Sequence, residues 1–206
     1  MYPDVKARDA AVSHMRQAFA DALDIGAAGV TFVPHRGENR QPDLTPFKTA
    51  IEIEYELMVW LLRGVSDLAY AIGVELYMQP VNRYESHFMN RLEQAVHFRR
   101  QQKDHAHVKV AANLFHMALE EAQPLASLSA ALQAEAGDIG QIYLADSNRR
   151  LPGQGLLDFA AVMRTIRDSG YQGWLTLECG APGTNTEYAN DYADAAPECL
   201  ARLRHS

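Results

Sequence analysis

Short apolar segments and amphipathic helical segments alternate along almost the whole chain. Strands are predicted at residues 29–34, 74–80, 108–113, 139–146 and 174–179. Helices are predicted at residues 9–25, 45–73, 88–102, 125–136, 158–170 and 186–204. Strands that are separated by helices must run parallel and connect by right-handed crossovers. The pattern therefore predicts one α/β domain over residues 1–206, built from one helix followed by five strand–helix units.

Two architectures fit this order of elements, an open parallel sheet and part of a (βα)8 barrel. The glycine-rich phosphate-binding motifs that open many parallel sheets follow none of the predicted strands. Polar residues instead end several strands, as they do in barrels. A whole barrel needs about 250 residues. The pattern therefore favours a partial TIM barrel of five parallel strands wrapped by helices, short of a whole barrel by about three strand–helix units.

Charge and hydropathy exclude two classes of partner. The formal net charge is −7, whereas a nucleic-acid-binding protein needs a basic face. No apolar run reaches the ~18–20 residues that a membrane-spanning helix needs. No N-terminal signal peptide is visible, and Cys179 and Cys199 have no metal-ligand spacing. We therefore expect a cytoplasmic protein with two reduced thiols and neither a nucleic-acid nor a membrane partner.

Polar side chains at the ends of four predicted strands form a candidate site. These residues are Gln79, Asn113, Tyr143 and Glu178. The carboxyl ends of parallel strands meet at one edge, where chemistry usually lies. Each residue also has an ordinary interpretation: a loop start for Gln79, a turn for Asn113, a solvated loop for Glu178 and, as the favoured reading, a barrel-lining aromatic for Tyr143.

Three longer segments carry a family resemblance. They are QPVNRYESHFMNR (79–91), VAANLFHMALEE (110–121) and IGQIYLADSNRRLPGQGLLDFAAVMRTIRDSGYQGWLTLE (139–178). In this order they resemble the xylose isomerase-like sugar isomerases and epimerases, especially the tagatose/psicose 3-epimerase and hydroxypyruvate isomerase branch. The resemblance runs from about Asp4 to Arg204 and implies an eight-stranded barrel of which the first three strands are missing here, so that both edges of the shortened sheet are unpaired. Unpaired edges favour self-association.

The resemblance implies aldose–ketose isomerisation or C3 epimerisation of a small sugar or sugar phosphate through a metal-stabilised enediolate. In the family, Glu, Asp, His and Glu hold Mn, Mg or Co, and the two glutamates act as acid and base. The matching positions here are Gln79, Asn113, Tyr143 and Glu178. Glu178 is the only one of the four that is the same residue as in the family, where it is both a catalytic group and a metal ligand. We therefore expect a degraded metal site that binds a divalent ion weakly or not at all.

The resemblance also implies that Glu85, His116 and Arg149 contact the sugar. Ordinary alternatives are that Glu85 opens a helix, that His116 lies on the surface and that one of Arg149 and Arg150 is solvated. Two hypotheses follow. The chain is an isomerase or epimerase with an altered site, or it is a catalytically inactive sugar-binding or structural relative.

The remaining histidines receive no site role. His35 and Arg36 follow the first predicted strand, where a loop can reach a strand-end pocket, but an exposed polar loop is the favoured interpretation. No metal-ligand spacing is seen for His14, His87, His97, His105, His107 and His205.

Overall fold

A computed structural model describes residues 3–101, 105–133, 137–180 and 186–205. The helices are α1 Val5–Asp24, α2 Ala50–Ile72, α3 Leu92–Gln101, α4 Leu114–Glu120, α5 Pro124–Gln133, α6 Phe159–Asp168 and α7 Thr186–His205. The strands are β1 Gly29–Phe32, β2 Glu75–Met78, β3 Val108–Asn113, β4 Ile139–Leu144 and β5 Trp174–Leu177. No helix of these residues has the length and apolar character needed to cross a membrane.

The five strands form one parallel sheet in the order β1-β2-β3-β4-β5. Each crossover contains at least one helix, as the alternating sequence pattern predicts. Within the part of the chain that the structure describes, β1 and β5 are the edge strands. The predicted fold, an α/β partial TIM barrel, is confirmed.

Alternate residues of each strand face opposite sides of the sheet. One set is apolar and fully buried against the helices; it includes Leu76, Met78, Val108, Val110 and Ile142. The other set is largely polar and lines the concave side; it includes Thr31, Tyr77, Gln141, Tyr143 and Thr176. The helical layer therefore holds the main core, and the concave side is free to carry chemistry.

Hydrogen bonds across the concave side show how strongly the sheet curls. Thr31 Oγ1 on β1 lies 2.7 Å from the Tyr143 hydroxyl on β4. In a flat sheet, strands three places apart would be separated by about 14 Å. Gln141 extends the same layer, because its amide donates to Thr176 Oγ1 on β5 at 2.9 Å. The sheet is thus a half-barrel whose carboxyl ends converge.

The Tyr77 ring fills the middle of this half-barrel between two glycines. A Cβ atom on Gly29 would lie 2.4 Å from the ring, and one on Gly140 would also lie 2.4 Å from it. Gly140 is the extra residue at the irregularity between β3 and β4, where the register moves from Ile139 to Gln141. Both glycines are therefore required by the close approach of one aromatic side chain.

The helices differ from the sequence prediction at several places. α2 starts after Thr49, whose hydroxyl and Glu52 form a capping box, so the predicted N-cap at Thr45 was wrong. Gly73 ends α2 in the left-handed conformation, with φ 72°, as predicted. α3 starts at Leu92 and not near Phe88. α4 was not predicted, because its seven residues are too few to show a helical repeat.

The loop after β4 is organised by one buried carboxylate. Asp146 is fully buried and accepts hydrogen bonds from the backbone N–H groups of residues 147, 153, 155 and 157, at 2.7–3.1 Å. Gly155 is required there, since a Cβ atom would lie 2.2 Å from Asp146 Oδ1. The loop carries Arg149 in the left-handed conformation, with φ 62°. Asp146 therefore positions Arg149 at the carboxyl ends of the strands.

Replacing Gly140 with alanine tests the packing around Tyr77. The added methyl group would overlap the ring, so we expect Gly140→Ala to lower the free energy of unfolding by about 1–3 kcal/mol. Gly64→Ala is the matched control, because it lies in α2 with no atom within 4 Å of the new Cβ. It should be neutral or stabilising by up to about 1 kcal/mol. Urea denaturation measures both, and equal stability of the two variants would contradict the packing.

Candidate functional site

Asn113 and Glu178 meet at the carboxyl ends of β3 and β5. The Asn113 amide nitrogen donates a short hydrogen bond to Glu178 Oε2. The orientation of the amide is fixed independently, since its oxygen accepts the Phe115 backbone N–H at 3.1 Å and caps α4. Asn113 therefore presents donor hydrogens, and not its oxygen, to the carboxylate.

Burial dominates the electrostatics of Glu178. Desolvation raises the pKa of this carboxyl, while Arg149 and the Asn113 hydrogen bond act in the opposite direction. Burial also raises the pKa of Tyr143, so its phenol stays neutral at pH 7. Gln79 follows β2 and is buried. Among the four positions taken from the strand ends, only Glu178 can therefore be an anion at neutral pH.

His116 is a neutral imidazole whose ring N–H has no hydrogen-bond partner among the described residues. Its Nδ1 lies 3.2 Å from the Asn82 backbone nitrogen and 2.8 Å from the Asn82 amide nitrogen. Burial lowers the pKa of His116 to about 4, so the ring is neutral at pH 7. Because Nδ1 accepts the Asn82 backbone N–H, the ring proton lies on Nε2. Nε2 is buried and has no hydrogen-bond partner among the described residues.

Glu85 lies between three cationic or imidazole groups. Its Oε1 is 3.6 Å from Arg149 Nη1 and 4.0 Å from His116 Nδ1. Its Oε2 is 2.8 Å from Arg36 Nη1. Arg149 also stacks over the Phe115 ring at 5.1 Å, and its buried Nε finds no hydrogen-bond partner within the described part of the chain. The three predicted sugar contacts thus form one cluster.

The structure corrects the interpretation of the first loop. His35 is buried, with 5% of its surface exposed, so the expected exposure was wrong for this residue, whereas Arg36 is exposed as expected. Arg36 bonds Glu85, although nothing in the local sequence links residues 49 positions apart. Asn82 was also missed, and its place in the NRYE string is the signal that could have found it. Tyr143 turns its hydroxyl to Thr31, as a barrel-lining residue would.

Two curated relatives illustrate what the chain is similar to in sequence. It is 33% identical over 143 residues to the 3-dehydro-D-guloside 4-epimerase of Escherichia coli. The matched segment covers 69% of this chain and 50% of the relative. It is 29% identical over 150 residues to the D-psicose 3-epimerase of Ruminiclostridium cellulolyticum, which covers 70% of this chain and 50% of the relative. The chain therefore spans about half the length of these relatives.

Solved structures and a family profile agree with these relatives. The 3-keto-D-glucoside 4-epimerase from E. coli superposes with a TM-score of 0.76 at 26% identity, over 95% of this chain and 70% of that one. A D-psicose 3-epimerase with D-tagatose from Clostridium cellulolyticum H10 superposes with a TM-score of 0.77 at 22% identity, over 98% of this chain and 72% of that one. At this identity the likeness is one of fold. The profile described as xylose isomerase-like TIM barrel matches residues 1–203. The chain belongs to this family of sugar epimerases and isomerases.

Proposed function

We propose that this chain binds a small ketose, or a closely related sugar derivative, without a divalent metal at the Glu178 pocket. The substrate class is taken from the relatives, whose names are those of ketose and glycoside epimerases. Glu85, His116 and Arg149 would hold the sugar, and Glu178 with Asn113 would form the floor of the pocket. Self-association through the sheet edges and a cytoplasmic location stay predictions from the sequence.

The proposal that the pocket holds no metal rests on the hydrogen bond that the Asn113 amide donates to Glu178. A divalent cation is held by lone pairs, and anionic oxygens and imidazoles hold it more strongly than neutral amides or phenols do. The amide of Asn113 directs hydrogens toward the carboxylate, Tyr143 offers a neutral phenol and Gln79 a neutral amide. The residues at these four positions therefore do not fit the family metal, and the Asn113 hydrogen bond stabilises the Glu178 charge in its place.

Two buried donors without hydrogen-bond partners among the described residues support the proposal that the pocket binds a sugar. Sugar hydroxyls both donate and accept hydrogen bonds, and a buried donor without a partner costs about 1–3 kcal/mol. His116 Nε2–H and Arg149 Nε–H are two such donors. Glu85 supplies an acceptor, and the Phe115 ring an apolar surface. A polyhydroxylated ligand satisfies this mixture, whereas a purely apolar ligand would leave both donors unpaired.

A second candidate, slow isomerisation, is favoured by the raised pKa of Glu178. A carboxyl shifted toward neutral pH can take and return a proton. Epimerisation at one carbon needs groups on opposite faces of the sugar, and Gln79 cannot be the second base. Transfer of a proton between two neighbouring carbons on one face needs only one carboxylate, while the proton of the neighbouring hydroxyl passes to the carbonyl oxygen through solvent. Isomerisation is therefore the reaction that this site would retain.

Sugar binding in the presence of EDTA tests the main proposal. We expect the purified chain to bind D-fructose or D-tagatose by calorimetry, with affinity changed less than about twofold by EDTA. Loss of one hydrogen bond should make His116→Ala weaken binding by about tenfold. His97→Ala, an exposed change on α3, is the control and should leave the affinity unchanged. Sugar binding that EDTA abolishes, and that Mn²⁺ then restores in the natural sequence but not in Glu178→Gln, would contradict the metal-free pocket.

Hydrogen exchange separates the two candidates. If Glu178 moves a proton, the ketose incubated with the chain in D2O should gain deuterium at the carbon next to the carbonyl. Glu178→Gln should stop this gain while the sugar still binds. The main proposal predicts no gain above a protein-free sample. Mass spectrometry measures the label.

Restoring the family ligands tests the pocket geometry. We expect the triple variant Gln79→Glu, Asn113→Asp, Tyr143→His to gain Mn²⁺ binding that the natural sequence lacks at this pocket, because three neutral positions become two anions and an imidazole. The same variant with Glu178→Gln added is the matched control. A gain that persists in the control lies elsewhere, and a folded triple variant without any gain would show that the four positions do not share one centre.

A further inference from the structure

We propose that His35, Glu54 and His87 form a binding site for a divalent cation of the zinc class, separate from the Glu178 pocket. His35 lies in the loop after β1, Glu54 on α2 and His87 between β2 and α3. One ligand atom from each residue can be chosen so that all three lie within 4.8 Å of one another. The inference does not depend on the proposed function.

Glu54 is the anion at the centre of this cluster. Its side chain is fully buried although it belongs to a helix whose other glutamates, Glu52 and Glu56, are exposed. Oε1 has no hydrogen-bond partner among the described residues. A buried carboxylate is strongly disfavoured unless a cation or donors balance it. The lone pairs of Oε1 are therefore free to bind a positively charged group, which would balance the buried charge.

His87 is oriented as metal-bound histidines usually are. Its Nδ1 lies 2.9 Å from the Gly37 carbonyl oxygen, which can only accept, so Nδ1 carries a proton. In the neutral ring, Nε2 then holds a lone pair, and it faces Glu54 Oε2 at 2.5 Å. Two lone pairs at this distance need a proton or a metal ion between them. A ring N–H bonded to a backbone carbonyl is the arrangement that fixes metal-ligating histidines.

His35 is the third member of the cluster and lies against His87. Its Nε2 is 3.7 Å from Glu54 Oε1, and its ring lies edge-on to the His87 ring, with centroids 4.6 Å apart. Its Nδ1 is buried without a hydrogen-bond partner within the described residues. Only 5% of the residue is exposed. A buried imidazole beside an unpaired carboxylate oxygen thus has a nitrogen available for a cation.

The donor types select the ion. Two imidazoles and one carboxylate suit Zn²⁺ better than Mg²⁺ or Ca²⁺, which prefer all-oxygen shells. Ligands of a tetrahedral zinc ion lie ~3.4 Å apart. The present distances from Glu54, 2.5 Å from Oε2 to His87 Nε2 and 3.7 Å from Oε1 to His35 Nε2, lie on either side of this value. Three protein ligands leave the fourth position to water.

Such an ion would join the loop that carries Glu85 to the loop after β1. The Gly37 N–H donates to the Glu85 carbonyl at 2.8 Å, and Arg36 bonds the Glu85 carboxylate. His35 and His87 flank these contacts in the sequence. Binding an ion at this cluster would therefore reduce the motion of Glu85.

Calorimetry with Zn²⁺ on metal-stripped protein tests the proposal. We expect one ion per chain, a higher melting temperature on loading, and d–d absorption bands when Co²⁺ replaces Zn²⁺. Glu54→Gln and His87→Ala should each weaken binding by about 100-fold. His14→Ala, an exposed histidine on α1, and Glu178→Gln are the matched controls and should bind as the natural sequence does.

Three results would overturn the proposal: no stoichiometric binding, unchanged affinity in Glu54→Gln, or loss of binding in Glu178→Gln. The last would assign the ion to the strand-end pocket. If Glu54→Gln does not fold, as circular dichroism would show, His87→Ala decides, because that side chain is 24% exposed and its loss leaves the main core intact.

Discussion

The hydrogen bond between Thr31 and Tyr143 joins strands that are not neighbours, and the half-barrel geometry depends on contacts of this kind. Together with the Tyr77 ring between two glycines, it keeps the concave side narrow. A flatter sheet would separate β3 from β5 at their carboxyl ends. Asn113 could not then reach Glu178, and the strand-end residues would be independent surface groups.

Glu54, which is fully buried, and Glu178, which is partly buried, are balanced by different groups. Glu178 is stabilised by an amide donor and by the positive charge of Arg149, so a metal ion is not needed there. Glu54 faces two imidazoles and keeps an oxygen without a hydrogen bond. Because desolvation is costly for both carboxylates, the groups around each determine whether a proton donor or a metal ion balances the charge. This difference is why the metal-free pocket and the zinc site are proposed at different places in one domain.

Much of the fold could be predicted from local patterns, and the errors have identifiable causes. The strands and the stop of α2 at Gly73 follow from periodicity and capping chemistry, which act over a few residues. The start of α2 was misplaced because Thr45–Pro46 and Thr49–Glu52 both look like helix starts, and only the second forms reciprocal hydrogen bonds. Within the site, the strand-end positions could be identified from the family strings, whereas Arg36 and the burial of His35 could not.

The sequence by itself determined the order of strands and helices, their parallel direction and the absence of an ionised side chain at Gln79, Asn113 and Tyr143, because each depends on residue type or on neighbours along the chain. Only the tertiary structure decided that Asn113 turns its amide hydrogens to Glu178, that Arg36 reaches Glu85 and that His35, Glu54 and His87 converge. These contacts join residues 19 to 65 positions apart in the chain. No local rule relates such residues, since the curl of the sheet and the burial of α2 set their distances.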